Sequence, residues 1–348
     1  MAKGFKSKLK KIWKRIDLKI CFFCSKSKFL SSAYYFFISS DMSREHQSVL
    51  SGKLLHLKKM ERSYNNDFLL RRNIHRLEKG LIMRPLKEVF AESYIKETVD
   101  AYAVAIQSST CDDNESLIWA RDVLEKYFSV VNVDKKRSIN NSFKKFSQCE
   151  ASYRSGEEKK IPFQRDLERS TLSFEHFEEL CRRRRSVRWF EDKKVPEELL
   201  DRAIMAATQA PSACNRQPYR FHIFTEGEKV RTIAELPMGT KGFSHNFPCV
   251  IAVVGDLSAF FDERDRHIIY IDSSLATMGF ILALETFGLS SCVINWPDIE
   301  EREQKISSFL GLKAEERVIM LIAVGWPDKE AHVPFSQKKS INDIRSYN

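Results

Sequence analysis

The chain has 348 residues, and 43% of them are hydrophobic, so it can bury at least one full core and has the length of two domains. The formal net charge is +10, and phosphorylated cofactors, nucleic acid and an acidic membrane surface are therefore all candidate partners. The excess is uneven, because residues 1–28 hold ten Lys or Arg against the single acid Asp17. The net positive charge is therefore concentrated in this N-terminal segment and says little about the body of the protein.

The eight cysteines are scattered, and only Cys21 and Cys24 have a spacing seen in metal sites. No second Cys or His pair follows at a suitable distance, so free or buried thiols are favoured and no metal site is predicted. The pattern suits a reducing cytosol. No apolar run approaches the ~20 residues that span a bilayer, and no signal-peptide core follows the basic start. The sequence therefore predicts a cytoplasmic protein.

Residues 1–43 form a basic N-terminal segment whose first 25 residues are amphipathic. Lysines lie between apolar residues that recur at helical spacing. Those apolar residues are Phe5, Leu9, Ile12, Trp13, Ile16, Ile20 and Phe23. Two interpretations stay open. The helix lies on an anionic membrane at its inner face, as a peripheral contact of residues 1–25, or it packs on its own protein or on a dimer partner.

The next two segments differ in composition. Residues 44–133 contain long stretches with few helix breakers and are predicted to be a helical region. Residues 134–170 are polar, with Asn, Ser and Gly clusters, and are predicted to be a linker or a mobile loop.

From residue 171 to residue 348 helices and strands alternate. Ser173 is a favoured N-cap residue, and Pro196 stands early in a second helix. Strands are predicted at residues 220–225, 250–254, 291–295 and 318–324. A long helix over residues 268–287 carries small residues, among them Gly279, that let another helix approach closely.

The first candidate site is residues 182–190, RRRRSVRWF. In a turn or short extended segment, Arg185, Ser186 and Arg188 can converge on a dianionic phosphate. Val187 and Trp189 are then expected to point the other way, into the core. Guanidinium groups form forked, charge-assisted hydrogen bonds, and the hydroxyl adds a donor. Taken alone, the run favours a solvated basic face or a nucleic-acid contact over a phosphate site.

The second candidate site is residues 210–221, APSACNRQPYRF. Two prolines fix its backbone, and the small Ser212 and Ala213 permit close approach by a flat ring. Asn215 and Gln217 each offer a donor and an acceptor, which matches the imide edge of a flavin. An ordinary polar loop between a helix and a strand remains the alternative.

With three later landmarks, these two motifs resemble the FMN-dependent nitroreductase family. The landmarks are NFPCVIAVV at residues 246–254, IDSSLATMGFILALETFGL at residues 271–289 and VGWP at residues 324–327. The resemblance covers only the C-terminal half. It implies an α+β fold, a nitroreductase-like mixed sheet wrapped by helices, and a homodimer whose two active sites lie at the subunit interface.

The resemblance also implies an FMN site made of three groups of residues. The phosphate and ribityl chain would contact Arg184, Arg185, Ser186, Arg188, Lys338 and Lys339. The ring would be covered from the partner subunit by Pro211, Ser212 and Ala213, with Asn215 and Gln217 near it. The reactive N5 edge would face backbone groups of Asn295 and Trp296.

Two positions depart from the family pattern. Lys338 and Lys339 replace a more usual Arg-containing pair, which keeps the charge but loses the bidentate fork. Trp296 stands where Gly is common, and its side chain is expected to narrow the pocket.

The implied activity is a ping-pong hydride transfer from NADH or NADPH through FMN to a small organic acceptor of the nitroaromatic, quinone or enone type. Because the flavin carries the chemistry, no catalytic side chain is assigned. Two alternatives stay open. One is an inactive flavin-fold interaction module with the N-terminal helices as the active part. The other, a nucleic-acid-binding protein, is disfavoured because no binding module is recognisable.

Overall fold

The computed structural model describes residues 2–61, 66–108, 114–149 and 158–348, with side chains from residue 12 onward apart from residues 60 and 61. The helices of these ranges are α1 (Ala2–Cys24), α2 (Lys28–Phe37), α3 (Ser43–Glu61), α4 (Asp67–Leu81), α5 (Ile95–Ser108), α6 (Glu115–Val130), α7 (Arg137–Ser147), α8 (Phe174–Arg183), α9 (Glu197–Ala207), α10 (Gly227–Glu235), α11 (Ile268–Thr286), α12 (Glu300–Leu310) and α13 (Ile341–Ile344). The strands are β1 (Tyr219–Phe224), β2 (Cys249–Asp256), β3 (Ser290–Asn295) and β4 (Glu316–Gly325). A helical N-terminal half thus precedes an α+β domain, as predicted.

Helices α4 to α7 pack around one apolar core. Fully buried side chains from all four helices meet there, among them Leu77, Tyr102, Leu124 and Ile139. The core forms because each helix carries apolar residues at a spacing of three or four, which places them on one face.

The prediction of a polar linker over residues 134–170 is wrong at α7. Its charged residues lie on the solvent side and Ser142 is buried, while Ile139, Phe143 and Phe146 recur at positions i, i+4 and i+7. The Phe146 ring lies 5.8 Å from that of Tyr102, centre to centre, and Ile139 is fully buried. The segment has a polar average composition but a helical pattern. Residues 158–173, beyond α7, contain no helix or strand.

The sheet has the strand order β1-β2-β4-β3, and each neighbouring pair of these strands is antiparallel. A parallel element is added by an isolated bridge between Ser186 and Ser291. The central strands β2 and β4 are apolar at successive positions because both faces of the sheet are covered. Helix α11 packs on one face together with α9, and the site of a Gly279 Cβ would lie only 3.5 Å from Ala207 Cα. The predicted close approach of a helix at Gly279 is confirmed.

One segment, Glu263–Thr286, is long and apolar enough to cross a membrane by length and composition. This corrects the prediction that no apolar run approaches that length. The segment contains α11, the central helix of the domain, in which Ile269, Phe280 and Leu284 are fully buried. Its apolar composition is explained by this packing, since a helix covered on several sides by protein is apolar for the same reason as a membrane span.

The helical half is docked onto the C-terminal domain through α3 and α4. His56 of α3 is fully buried, with its Nδ1 2.8 Å from the carbonyl oxygen of Ser258. A Cβ at Gly52 would lie 2.7 Å from Leu257, so only glycine fits at this contact. Ion pairs join Arg44 to Glu300 and Lys53 to Glu263. Helix α4 lies against the loop that precedes β1.

Candidate functional site

The arginine-rich segment leaves α8 as an extended chain beside β3. Arg184 is the C-cap of α8, and its N–H donates to the carbonyl of Leu180. Ser186 then pairs with Ser291, and the Val187 N–H donates to the Ser291 carbonyl over 3.0 Å. Val187 is buried in the core, as predicted. The prediction is wrong for Trp189, which is 42% exposed and has its ring 5.7 Å from that of His245. Alternation along an extended chain therefore sends Ser186 and Arg188 to the opposite side.

Five cations of the predicted phosphate group lack an acidic partner among the described residues. They are Arg184, Arg185, Arg188, Lys338 and Lys339. Neighbouring arginines of the same run do meet acids, because Arg182 pairs with Glu178 at 2.8 Å and Arg183 lies 3.9 Å from Glu285. The five cations thus give this edge of the domain a net positive charge that an anion would neutralise.

The C-terminal segment is held beside these arginines. Arg185 Nη1 donates to the carbonyl of Phe335 over 3.4 Å, and the exposed Lys338 and Lys339 follow within four residues. The two lysines predicted to complete a phosphate site therefore lie on the chain segment that touches Arg185.

A cleft of 320 Å³ opens between Arg188, the loop of residues 238–243 and β3, and we call it the β3 cleft. Its walls include Arg188, Phe243, Val293 and Asn295, and the Arg188 guanidinium lies 5.9 Å from the centre of the Phe243 ring. Burial raises the pKa of the Cys292 thiol in the wall, while Arg188 and Arg184 oppose that rise. The thiol stays protonated at neutral pH, so the cleft offers cations and an amide but no nucleophilic thiolate.

The expectation that Trp296 narrows this cleft is wrong. Asn295 is exposed in the cleft, whereas Trp296 is buried and its Nε1–H donates to Glu303 Oε1 over 2.7 Å. Successive residues at the end of a strand point to opposite sides, and the indole therefore packs in the core. What Trp296 presents toward the cleft is limited to its backbone.

The loop of residues 211–217 has an unusual backbone. Cys214, Asn215 and Gln217 have φ values of 54°, 52° and 50°, in the left-handed region that residues other than glycine rarely occupy. Such conformations cost of order 1–3 kcal/mol each and persist only where surrounding contacts impose them.

Asp272 of α11 supplies some of those contacts. Its Oδ2 accepts from the Ser212 hydroxyl over 2.7 Å and from the Ala213 N–H over 3.0 Å. Ser212 Oγ in turn accepts from the Gln217 N–H over 2.8 Å. Burial raises the pKa of the Asp272 carboxyl, and the two hydrogen bonds and the charge of Arg216 oppose the rise.

Arg71 of α4 holds the other side of the loop. Its Nε donates to the Asn215 carbonyl over 2.9 Å, its Nη2 to Gln217 Oε1 over 3.0 Å, and its Nη1 to Ser116 Oγ over 2.8 Å. The Gln217 amide nitrogen donates to the Thr208 carbonyl. Both ends of this amide, predicted to lie near a flavin ring, are therefore already engaged within the chain.

Sequence reasoning missed both residues that hold the loop. Asp272 carried a signal, since an acid in the interior of an apolar helix is costly to bury without partners. Arg71 carried none, because it lies 144 residues from Asn215 in a region with no family resemblance.

One chain does not bring all the predicted residues together. The loop precedes β1 at one edge of the sheet, whereas the arginine segment and Asn295 lie at β3, the opposite edge. Three strand spacings separate these edges, about 14 Å. The loop is also displaced along the strands, because Tyr219 pairs with Gly255 while Ser291 is level with Cys249. A ring bound at β3 cannot be covered by the loop of the same chain.

Comparisons with known proteins show which proteins this chain is similar to. Iodotyrosine deiodinase 1 from Sus scrofa is 28% identical over 198 residues, covering 49% of this chain and 68% of that protein. A protein named putative NADH dehydrogenase/NAD(P)H nitroreductase, from Methanothermobacter thermautotrophicus, is 29% identical over 150 residues, covering 43% of this chain and 76% of its own. A solved structure with the same name, from Parabacteroides distasonis, is 26% identical with a TM-score of 0.43, covering 49% of this chain and 96% of its own.

The model of the nitroreductase family matches residues 181–241 and 235–326. These ranges include the arginine segment, the loop before β1, helix α11 and all four strands. The C-terminal half of the chain is therefore a domain of the nitroreductase family.

Proposed function

We propose that the chain is an FMN-dependent oxidoreductase that takes electrons from NADH or NADPH and passes them to a small organic acceptor. Membership of the nitroreductase family supports the broader class, a flavoprotein oxidoreductase. The observation that carries the proposal is the set of five cations without acidic partners within the described residues, of which Arg188 lines the β3 cleft.

The chemistry of these residues fits FMN. A phosphate dianion would be held by Arg184, Arg185 and Arg188 with the Ser186 hydroxyl, and Lys338 and Lys339 would add charge from the C-terminal segment. Asn295 lies exposed in the same cleft and offers both a donor and an acceptor.

Bound FMN would supply the two-electron chemistry, in a ping-pong exchange between the nicotinamide and the acceptor. The residues of the chain would bind and orient the cofactor. The cations would hold the phosphate end, and the backbone at Asn295 and Trp296 would border the reactive edge. No proton-transferring side chain is required.

We further propose that the active unit is a homodimer. Within one chain, the loop of residues 211–217 and the β3 cleft lie at opposite edges of the sheet. A second copy would bring its own loop over that cleft. Helix α11 also exposes Ile271, Leu275 and Met278, at positions i, i+4 and i+7. An apolar stripe of this kind on the outer face of the central helix is suited to burial against a partner.

The visible spectrum of the purified full-length protein tests the cofactor. We expect flavin bands after addition of FMN, and we expect them to bleach on anaerobic titration with NADH or NADPH. Exchanging Arg185 and Arg188 for Ala should abolish retention of FMN. The matched control exchanges Arg182 and Arg183, which contact acids instead, and should keep it. A wild-type protein that neither retains FMN nor bleaches would overturn the proposal.

Reductive removal of halide from a halogenated phenol is a second candidate, favoured by the similarity to iodotyrosine deiodinase 1. The prereduced protein would be mixed anaerobically with an iodophenol or with a nitroaromatic compound. Release of iodide coupled to reappearance of the oxidised flavin bands would favour the second candidate. Reoxidation by the nitroaromatic alone would favour the first.

A further inference from the structure

The first two helices form a hairpin that stands apart from both cores. Within α2 no residue is buried, and the described part of α1 contains none either. The two helices bury side chains only partly, against each other. The hairpin contains many apolar residues, yet they contribute to neither core. Their exposure therefore requires another explanation.

The hairpin is pinned internally, so its outer surface is defined. Tyr34 Oη donates to Asp17 Oδ1 over 2.7 Å, and Ser31 Oγ donates to the Cys24 carbonyl over 2.9 Å. The Ser27 hydroxyl caps α2 by accepting from the Leu30 N–H. Asp17, the single acid of residues 1–28, is thereby turned into the seam between the helices.

Aromatic side chains cover the outside of α2. Phe29, Phe36 and Phe37 are between 78% and 80% exposed. Phe29 and Phe36 are seven residues apart and therefore share one helical face, and the Phe37 ring stacks edge-on against Phe36 at 4.7 Å. With Met42 they also line an apolar cleft of 680 Å³ between α2 and the start of α3.

Helix α1 adds a second apolar face beside lysines and an arginine. Ile12, Ile16 and Phe23 fall on one face at a spacing of four and seven residues, and all three are exposed. Lys19, seven residues after Ile12, lies on this face itself, and Arg15 lies at its edge by helical geometry. On the far end of α1, the Lys26 ammonium lies 5.1 Å from the centre of the Phe22 ring.

We propose that the α1–α2 hairpin docks on a membrane rich in anionic lipid, with its aromatic rings in the headgroup region and its cations against lipid phosphates. Exposed aromatics with interleaved Lys and Arg are what an interfacial helix requires. The sequence pattern had covered residues 1–25 only, and the structure adds α2 with its phenylalanines. A second copy of the hairpin fits less well, because it would bring two sets of uncompensated cations together.

Sedimentation with lipid vesicles tests this docking, using the full-length protein without nicotinamide. We expect binding to phosphatidylcholine vesicles that contain phosphatidylglycerol and much weaker binding to phosphatidylcholine alone. Binding should fall as NaCl is raised, since salt screens the contacts between cations and lipid phosphates. Exchanging Phe29, Phe36 and Phe37 for Ser should weaken it by at least about tenfold.

Two further variants make the result specific. Phe163, which is 88% exposed and lies outside the hairpin, is the matched control, and F163S should bind as the wild type does. Trp13 is exposed on α1, so vesicles should shift its emission to shorter wavelength, and W13F should lose that component while still binding. Equal binding by wild type and the triple Ser variant, or self-association without any lipid binding, would overturn the proposal.

Discussion

At the scale of single residues, the loop before β1 depends on groups far away in the sequence. Three non-glycine residues adopt left-handed conformations, and Asp272 and Arg71 hold them from two sides. The motif of residues 210–217 could be recognised from sequence, because its residue types are local. Arg71 could not, since a hydrogen bond across 144 residues leaves no periodic or local pattern, and Asp272 was visible only as an acid within an apolar helix, without any sign of its partners 60 residues away.

Replacing Arg71 with Ala should loosen this loop. The change removes donors to the Asn215 carbonyl, the Gln217 amide oxygen and Ser116, and the loss of buried hydrogen bonds to a charged group costs about 1.5–3 kcal/mol. We expect faster amide hydrogen exchange in residues 212–217 and little change in the sheet. R71K keeps the charge without the fork and should restore the protection only in part. Unchanged exchange in R71A would show that Asp272 alone maintains the loop.

The Asp272 carboxyl should give the stability of the domain a particular pH dependence. Burial raises the pKa of this group in the folded protein above its ordinary value. Its contribution to the free energy of unfolding is therefore fully present below the ordinary Asp pKa and is lost as pH rises through the raised value. In urea unfolding, wild type should lose stability relative to D272N over this window and then run parallel to it. A difference that grows in favour of wild type as pH rises would contradict the assignment.

At the scale of elements, hydrophobic patterning located the four strands and α11 within one or two residues. The apolar runs of β2 and β4 are long because both faces of the sheet are covered there, and that burial is visible in the sequence. Helix α7 was not predicted because its average composition is polar, although its apolar residues keep a helical spacing. Of the N-terminal hairpin, only α1 was predicted as an amphipathic helix, because only α1 combines its apolar residues with many lysines.

Replacing Ile139 with Ala tests whether α7 is a structural element of the helical half. The side chain is fully buried among α5, α6 and α7, so its truncation leaves a cavity and should cost about 2–5 kcal/mol in the free energy of unfolding. I139V should cost about 0.5–1.5 kcal/mol. Urea denaturation monitored by circular dichroism gives both values. A mobile linker at this place would leave the two variants indistinguishable from wild type.

At the scale of the whole molecule, helices α3 and α4 fasten the helical half to the nitroreductase-family domain. Helix α3 is docked at residues 257–265 and α4 at the loop before β1. The first docking site depends on close backbone approach at Gly52, and the second on the three donors of Arg71. The N-terminal half is therefore a part of the proposed site's framework and not a separate appendage. Family resemblance, which is confined to the other half, carried no information on this contact.

The predicted site residues lie at opposite edges of the sheet. This leads to a prediction that holds only if each active site is built from two subunits. A variant with Arg185 and Arg188 exchanged for Ala lacks two of the proposed phosphate contacts. A variant with Ala213 exchanged for Trp blocks the position proposed to cover the ring. Each homodimer should retain no FMN. In a mixed dimer, the cleft of the Arg variant meets the loop of the Trp variant, so this site carries both sets of substitutions. The other site combines an unchanged cleft with an unchanged loop.

Random reassociation of equal amounts of the two variants makes half of the dimers mixed, so about a quarter of the wild-type sites should be restored. The measurement is the flavin absorbance retained after gel filtration, with far-UV circular dichroism confirming that each variant is folded. If each chain built a complete site alone, every site in the mixture would carry a lesion, and no flavin would return. Restoration therefore assigns the loop of residues 211–217 to the cleft of the other subunit, because no arrangement within one chain produces it.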